Sequence, residues 1–360
     1  MGAQNPYKAA GIRTRRATMN DVAAQANVSL KTVSRVVNGD AGVVEETRLR
    51  VLDAIARLGF RRNDSARQLR TGRTAEIGLL VEDVADPFYS TVTRAVEQVA
   101  AGHDCLLFTS SCDDDPVRER KLALTLCSRR VDGLLIVTAA PDHAYLASEL
   151  AAGLPVVFVD RPPVNLDADA VLADNVGGAR SGIRHLIAGG HRRIGFLGDD
   201  PDVFTAQQRL LGYRQEMAAH GLPVDESWIA AGEPAPGRLR HNVERLRVEL
   251  DRLLGGPAAV TALFTGNNRI TTQVLREFGR REDSDRGTPH RPALVGFDDF
   301  EFADLVTPGV TVVAQDPAGL GRTAATLLFE RLAGLAGPAR RVVLPTRLVV
   351  RGSGEQPPPD

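Results

Sequence analysis

The chain has 360 residues, of which 43 % are hydrophobic and 25 % are charged, a composition typical of a soluble protein with two or three domains. Its net charge of −1 conceals an asymmetry, because residues 1–73 carry 14 lysines and arginines against 6 acidic residues and the remainder carries 30 against 39, so that only the N-terminal part is expected to bind a polyanion. The sequence has no apolar stretch of about 18 residues that would span a membrane. Its polar, basic start is not a signal peptide. The three cysteines, Cys105, Cys112 and Cys127, have no disulfide or metal-ligand spacing and fit a reducing cytoplasm.

The N-terminal part is predicted to hold a disordered basic arm over residues 1–17 and three short helices over residues 18–62. Thr18 and Ser29 suit the N-caps of the first two helices, because their hydroxyl oxygens accept from unpaired backbone N–H groups. The second and third helices are predicted at Leu30–Val37 and Glu45–Leu58.

From Ala75 onward the pattern changes to apolar runs separated by longer helical segments, which is typical of parallel sheets covered by helices. The predicted strands are Ile77–Val81, Cys105–Phe108, Val131–Val137, Val156–Val159, Ala170–Leu172, Ile194–Leu197, Ala262–Phe264 and Ala293–Phe297. About 280 residues of this pattern are too many for one such sheet, so two lobes are expected. The proline-rich end, residues 353–360, is predicted to be a disordered tail.

The second helix has the features of a recognition helix, which places its first residues against base edges in the major groove. Leu30, Lys31 and Arg35 share one side, where Lys and Arg can donate to guanine and Leu can contact a thymine methyl group. Thr32, Ser34 and Asn38 suit phosphate contacts. Three helices alone are also compatible with an ordinary small helical domain.

The string TMNDVAAQANVSLKTVSRVVN, Thr18–Asn38, resembles the lactose/galactose repressor (LacI/GalR) family. This resemblance implies a sequence-specific DNA-binding transcriptional regulator, a repressor by type, that binds a pseudo-palindromic operator as a homodimer. One departure is Val44, because the family usually has Ser at this N-cap. The residues of the helical domain expected to contact DNA are Thr18, Ser29, Leu30, Lys31, Thr32, Ser34, Arg35 and Asn38.

The segment NDSARQLRTGRT, residues 63–74, resembles the hinge of that family, which folds as a short helix on operator DNA. Leu69 occupies the position of the leucine that wedges into the minor groove, and Ala66 occupies the small packing position; Asn63 opens the segment. The alternative for Leu69 is a linker residue that packs on the core domain.

Residues 75–352 resemble the family's effector-binding and dimerisation domain, which is similar to periplasmic sugar-binding proteins. The matching strings are DPFY, VDRP, ADNVGGA, GHRRIGFLG, RLLGY, GFDD and LPTRLVVRGS. The expected fold is therefore an N-terminal all-α helix-turn-helix domain plus an α/β two-lobed core with doubly wound parallel sheets. Lobe one is expected at about 75–173 and 317–343, and lobe two at about 174–316 and 344–352.

Polar residues that follow strands should face a ligand, because the carboxyl ends of parallel strands open on the cleft. Asp160 and Arg161 follow Val156–Val159, and Asp298 follows Ala293–Phe297. The resemblance adds Arg209, Asn267, Phe88 and Tyr89. It implies a small-molecule effector that is a sugar by type, with purine-like ligands as the minority case. Three alternatives stay open: Asp160 and Arg161 pair with each other, Phe88 belongs to the core, or Asp298 caps the following segment.

The cleft wall departs from the family at Gly266-Asn267-Asn268, where the family has Ala-Asn-Asp, and at the following string RITTQ, where it has an apolar helix start. These departures leave the identity of the effector open.

Two other classes of protein fit the sequence less well. An enzyme is disfavoured because no glycine-rich nucleotide string follows a strand, and His185 and His191 are interpreted as surface residues without nucleophile partners. No cofactor, metal or catalytic residue is predicted. A transport solute-binding protein is disfavoured by the missing signal peptide and the basic N-terminal helices. The tail lacks the leucine heptads that a tetramer would need.

Overall fold

The computed structural model describes residues 17–40, 42–60, 73–231, 243–283 and 291–359. The chain divides into two compact units, Met1–Thr74 and Ala75–Asp360. Residues 1–16 of the predicted basic arm lie outside the described residues, as do the predicted hinge residues Asn63, Ala66 and Leu69.

The first unit consists of three helices around a small apolar core. They are α1 (Met19–Ala26), α2 (Leu30–Val37) and α3 (Glu45–Leu58). The Thr18 hydroxyl and the Asp21 carboxylate cap α1 reciprocally, and Ser29 caps α2 by accepting from Thr32 N at 3.1 Å. Val44 makes no side-chain cap bond to α3. The buried core residues are Val22, Ala23, Ala26, Val33, Val51 and Ala54.

The second unit contains two six-stranded sheets. The strands are β1 (Glu76–Val81), β2 (Leu106–Ser111), β3 (Gly133–Ile136), β4 (Val156–Val159), β5 (Asp169–Ala173), β6 (Ile194–Leu197), β7 (Ile229–Ala230), β8 (Ala262–Thr265), β9 (Ala293–Phe297), β10 (Thr311–Ala314), β11 (Arg341–Leu344) and β12 (Arg347–Val349). The first sheet, in the order β11-β5-β4-β3-β1-β2, is parallel throughout. The second, in the order β12-β10-β9-β8-β6-β7, is parallel except that β12 runs antiparallel to β10.

Helices cover both sheets, and the predicted two-lobed α/β fold is confirmed. They are α4 (Pro87–Gly102), α5 (Pro116–Ser128), α6 (Ala147–Ala151), α7 (Asn175–Ala188), α8 (Phe204–Ala219), α9 (Val243–Leu254), α10 (Asn268–Asp283) and α11 (Pro317–Leu332). We call the first sheet with its helices lobe one and the second sheet with its helices lobe two. Of the helices described, none has the length and apolar character needed to cross a membrane.

The chain passes between the lobes three times, after β5, β10 and β11. After each of the first two crossings, a helix of the other lobe begins with an aspartate as its N-cap. Asp174 accepts from Gly177 N at 2.8 Å, and Asp316 accepts from Gly319 N at 2.7 Å. Asp174 begins α7 of lobe two and Asp316 begins α11 of lobe one.

Each lobe also has a glycine where two helices cross closely. A Cβ atom on Gly321 of α11 would lie 2.5 Å from the Val92 carbonyl oxygen of α4. A Cβ atom on Gly212 of α8 would lie 2.5 Å from the Val176 carbonyl oxygen of α7. The helix pairs pack at distances that only glycine permits.

The predicted disordered tail is wrong for residues 353–359. Ser353 Oγ donates to the Leu294 carbonyl at 2.6 Å and accepts from Thr311 N at 2.9 Å, and Glu355 accepts from the Thr311 hydroxyl. These hydrogen bonds to β9 and β10 anchor the tail on lobe two. The proline-rich composition gave no sign of them.

The interpretation of His191 as a surface residue is also wrong. His191 is fully buried, and its Nε2–H donates to the carbonyl oxygen of Gln356 in the tail at 2.8 Å. Its role is therefore structural.

The glycine at the α4–α11 crossing gives a testable prediction. Gly321→Ala is expected to lower the free energy of unfolding by about 1–3 kcal/mol, because the new methyl group has to displace the Val92 carbonyl. Gly102→Ala is the matched control, since a Cβ atom there meets no atom within 4 Å. Thermal unfolding followed by circular dichroism measures both variants, and equal melting temperatures would contradict the close crossing.

A recognition helix and a charged cleft between the lobes

The helix α2 presents one apolar and one polar face. Val33 is fully buried in the core of the first unit, whereas Leu30 is 48 % exposed and Lys31 is exposed. The three predicted base-reading residues thus lie on the side away from the core. Nothing in the fold of this unit requires a leucine at the exposed position 30.

Arg35 is held by an acidic neighbour at the end of this helix. Its Nε donates to Asp40 Oδ2 at 2.9 Å and its Nη2 donates to Asp40 Oδ1 at 3.2 Å. The hydrogen bonds from Arg35, followed by the one from Gly42 N, lower the pKa of Asp40 to about 2. Asp40 thus occupies Nε and Nη2 of Arg35, whereas Nη1 makes no hydrogen bond to it.

The other residues predicted to contact DNA use their side chains partly within the helical unit. The Thr18 hydroxyl donates to Asp21 Oδ2 at 2.7 Å, and Asn38 Nδ2 donates to Ser34 Oγ at 3.3 Å. Asn38 and Ser29 are exposed, so both remain accessible to a polyanion.

A cavity of about 50 Å³ lies between the two lobes of the second unit. All seven residues predicted to bind the effector line it, and they are Phe88, Tyr89, Asp160, Arg161, Arg209, Asn267 and Asp298. Lobe one contributes the first four and lobe two the other three. Ligand pockets usually measure about 300–1,000 Å³, so this cavity by itself is smaller than a site that encloses a ligand of sugar size.

Arg161 joins the carboxyl ends of three strands of lobe one. Its guanidinium donates to Glu82 after β1 at 2.8 Å, to Asp114 after β2 at 2.6 Å, and to the Thr138 carbonyl after β3 at 2.9 Å. Its Nε lies 3.9 Å from Asp160 Oδ2. The main partners of Arg161 are therefore Glu82 and Asp114, and the alternative of an Asp160–Arg161 pair describes only its weakest contact.

In lobe two, Arg209 of helix α8 also joins loops that follow strands. Its Nε donates to Asn175 Oδ1 at 2.7 Å, and its Nη1 donates to the Gly266 carbonyl and to Asp298 Oδ2 at 3.3 Å. The guanidinium also lies 3.9 Å from the ring centre of Phe297.

Asp298 accepts from Arg209 and from Gln315 Nε2. It is thus tied to cleft side chains, and among the described residues it makes no backbone cap bond, contrary to the alternative of an N-cap. Phe88 lines the cavity and also packs against the core of lobe one.

Two carboxyl groups of the cleft are harder to ionise than usual. Burial raises the pKa of Asp160 to about 6, against the opposing effect of Arg161 and Arg209, and burial also raises the pKa of Asp298. Both residues have positive φ angles, 68° and 70°, at the ends of β4 and β9. Such backbone strain is common at binding sites.

Several lining residues were missed by the sequence analysis, among them Glu82, Asp86, Asp199, Arg269 and Gln315. Their positions depend on how the two lobes meet, which no local pattern reveals. The one signal was the polar helix start RITTQ, which contains Arg269.

Arg269 connects the lobes. It begins α10 of lobe two, and it donates to Asp86 Oδ2 at 2.7 Å and to Asp83 Oδ2 at 2.8 Å, both of lobe one. The departure from the family's apolar helix start therefore forms a pair of ion pairs across the cleft.

Within the described ranges, no three histidine, cysteine, aspartate or glutamate side chains are grouped so that they could hold a metal ion.

Comparisons with known proteins agree with both units. A profile of bacterial regulatory proteins of the lacI family matches residues 18–63, and a profile of periplasmic binding protein-like domains matches residues 183–354. The HTH-type transcriptional regulator CelR of Thermobifida fusca is 34 % identical over 352 residues, which cover 95 % of this chain and 99 % of CelR.

Two solved structures are similar over 94 % of the chain. The CelR–cellobiose complex shares 31 % identity, with a TM-score of 0.66 and 100 % of that chain covered. The lac repressor dimer bound to operator and the anti-inducer ONPF shares 25 % identity, with a TM-score of 0.79 and 99 % of that chain covered.

The raised pKa of Asp160 predicts a pH dependence of stability. The pKa of this carboxyl is about 6 in the folded protein, whereas its ordinary value is 3.8. Between these two pH values the folded protein therefore binds a proton that the unfolded chain does not. The free energy of unfolding falls as pH rises through this window, by roughly 3 kcal/mol at most. In Asp160→Asn this loss is absent. The free energy of unfolding of the variant, relative to the unchanged protein, is therefore expected to increase from pH 4 to pH 7.

Glu97→Gln is the control, because Glu97 is exposed on α4 and the substitution removes the same charge. Chemical denaturation at several pH values measures all three proteins. Parallel pH profiles for Asp160→Asn and the unchanged protein would show that Asp160 ionises normally.

Proposed function

The chain belongs to the lacI family of bacterial regulatory proteins, and we propose that it is a cytoplasmic, homodimeric repressor whose operator binding is controlled by a sugar held between the two lobes. Membership of this family makes the chain a DNA-binding regulator of transcription and not an enzyme, as the sequence predicted. The observation that carries the proposal is the presence of an exposed recognition helix and a charged interlobe cleft in one chain.

The DNA-reading part of the proposal rests on α2. Leu30, Lys31 and Arg35 together offer an apolar contact and two cationic donors, which is what base edges in the major groove require. The lac repressor, which is similar over 94 % of this chain, was solved as a dimer on its operator. We therefore assign base reading to these three residues and a pseudo-palindromic operator to the dimer.

The hinge is part of the proposal by resemblance only. Asn63, Ala66 and Leu69 are assigned to the segment that folds on the operator, with Leu69 as the wedge in the minor groove. Positioning contacts to phosphate are assigned to Thr18, Ser29, Thr32, Ser34 and Asn38.

The effector part of the proposal rests on the chemistry of the cleft. Carboxylates accept hydrogen bonds from sugar hydroxyl groups, and Phe88 and Tyr89 supply apolar walls. CelR was solved with cellobiose. We assign effector contacts to the seven predicted residues, with Asp160 and Asp298 as the principal acceptors.

Control of DNA binding follows from the closure of the cleft. The ion pairs of Arg269 with Asp83 and Asp86 join the lobes while the cavity is too small for a sugar. A sugar that enters has to separate these partners or replace their contacts, and it shifts the equilibrium only by binding one arrangement of the lobes better.

Base reading by Arg35 is tested on DNA. Arg35→Ala is expected to cost about 1–3 kcal/mol of binding free energy on an operator selected from a random library, and little on unselected DNA at the same salt concentration. Arg57→Ala is the control, because Arg57 is also an exposed arginine paired with a carboxylate, Asp53, but lies on α3. Gel-shift titration measures the affinities, and an equal loss on both DNAs would show that Arg35 contacts only phosphate.

The sugar effector is tested by a thermal-shift screen of the full chain with cellobiose, ribose, glucose and related sugars. A sugar at 100 times its dissociation constant is expected to stabilise the protein by about 2.7 kcal/mol. A screen in which no sugar stabilises the protein would contradict the proposed effector.

Asp298→Asn then tests the site. Charge-assisted hydrogen bonds contribute about 1.5–3 kcal/mol each, so the variant is expected to bind the sugar that the screen identifies roughly tenfold to a hundredfold more weakly by calorimetry. Unchanged affinity would remove Asp298 from the site, and a lower melting temperature with intact affinity would show a purely structural role.

A further inference from the structure

The cationic groups of the cleft already have anionic partners. Arg161 donates to Glu82 and Asp114, and Arg269 donates to Asp83 and Asp86. In the same way, Arg209 donates to Asp298 at 3.3 Å and to two neutral oxygens, those of Asn175 and Gly266. At each of these guanidinium groups, an incoming anion would compete with a carboxylate that is already in place.

The buried acceptors of the cleft are less well matched. Among the described residues, Asp160 Oδ1 and Gln315 Oε1 are buried without a hydrogen-bond donor, and both residues line the cavity. Gln315 uses its only donor group on Asp298, which leaves its oxygen as the free end of the amide. Arg161 Nε is a buried donor without a hydrogen bond, and it lies beside Asp160.

The balance of charge around the cavity is also negative. Five carboxyl groups line it, those of Glu82, Asp86, Asp160, Asp199 and Asp298, against the three guanidinium groups of Arg161, Arg209 and Arg269. Since buried polar atoms without partners are costly, a ligand gains most by donating hydrogen to Asp160 and Gln315.

We propose that the cleft selects a sugar without a negative charge, one that donates hydroxyl hydrogens to Asp160 and Gln315, and that it rejects sugar acids and sugar phosphates. This inference rests on the proposed function, because it specifies the chemical class of the effector for the same site. Asp160 sets the selectivity by charge, and Gln315 adds an acceptor without charge.

The experiment compares each neutral sugar with its own anionic derivatives on the full chain. Calorimetric titrations use cellobiose with cellobionate, ribose with ribose 5-phosphate, and glucose with gluconate and glucose 6-phosphate. The neutral member of the pair that binds is expected to bind at least about tenfold more tightly than its anion. An anion that binds as tightly as its parent overturns the charge selectivity and leaves the sugar cleft standing, whereas a panel without any binding overturns the proposed effector itself.

Two variants assign the selectivity to its residues. Asp160→Asn is expected to reduce the ratio of the dissociation constants of anion and neutral sugar by at least about tenfold, because it removes charge but keeps an acceptor. Gln315→Met is expected to weaken the neutral sugar while the ratio stays the same, because it removes an acceptor but no charge. Glu97→Gln, exposed on α4, is the control for net charge. An unchanged ratio in Asp160→Asn, at an unchanged fold by circular dichroism, overturns the assignment.

Discussion

The second unit of this protein depends on the pairing of charged side chains that are buried at the carboxyl ends of its strands. A lone buried ion costs several kcal/mol, so each guanidinium has to be surrounded by acceptors. Arg161 does this in lobe one and Arg209 does it in lobe two, and each thereby ties together loops that follow different strands. These two side chains hold loops of the cleft wall together, and among the described residues they leave Asp160 Oδ1 and Gln315 Oε1 without a hydrogen-bond donor.

The lobes repeat a common plan although their sequences differ. Each lobe contains one helix that directly follows a crossover from the other lobe. This helix starts at an aspartate cap, Asp174 or Asp316, and it crosses a second helix at a close contact. Gly212 and Gly321 make these crossings possible. The helices that follow these two crossovers are therefore held at their start by a cap and along their length by a close helix contact.

Sequence patterns predicted the bounds of several elements. The strands β4, β6 and β9 are buried throughout and have the predicted bounds, because polar residues or glycines end their apolar runs. The helices α2 and α3 also have the predicted bounds, which Ser29, Asn38 and Gly59 mark as caps. Four strands were missed, β7, β10, β11 and β12, and each is only two to four residues long. Of these, β10 is fully buried, so its short length alone hid it from the pattern. The residues after β4 and β9 were predicted to lie in the cleft because the carboxyl ends of parallel strands open on it. Arg269 and Gln315 could not be predicted in this way, because their place in the cavity depends on how the two lobes meet. The tail was misjudged from its prolines, because the anchoring bonds of Ser353 and Glu355 leave no periodic trace.

The anchored tail has a practical consequence. Since Ser353 and Glu355 fasten the C-terminal segment to β9 and β10, a fluorophore attached near Pro359 would follow the movement of lobe two. A second fluorophore on the outer face of α4, in lobe one, would complete an energy-transfer pair within a single chain. The protein thus offers attachment points from which the opening of its cleft could be read as a distance in real time, without any DNA present.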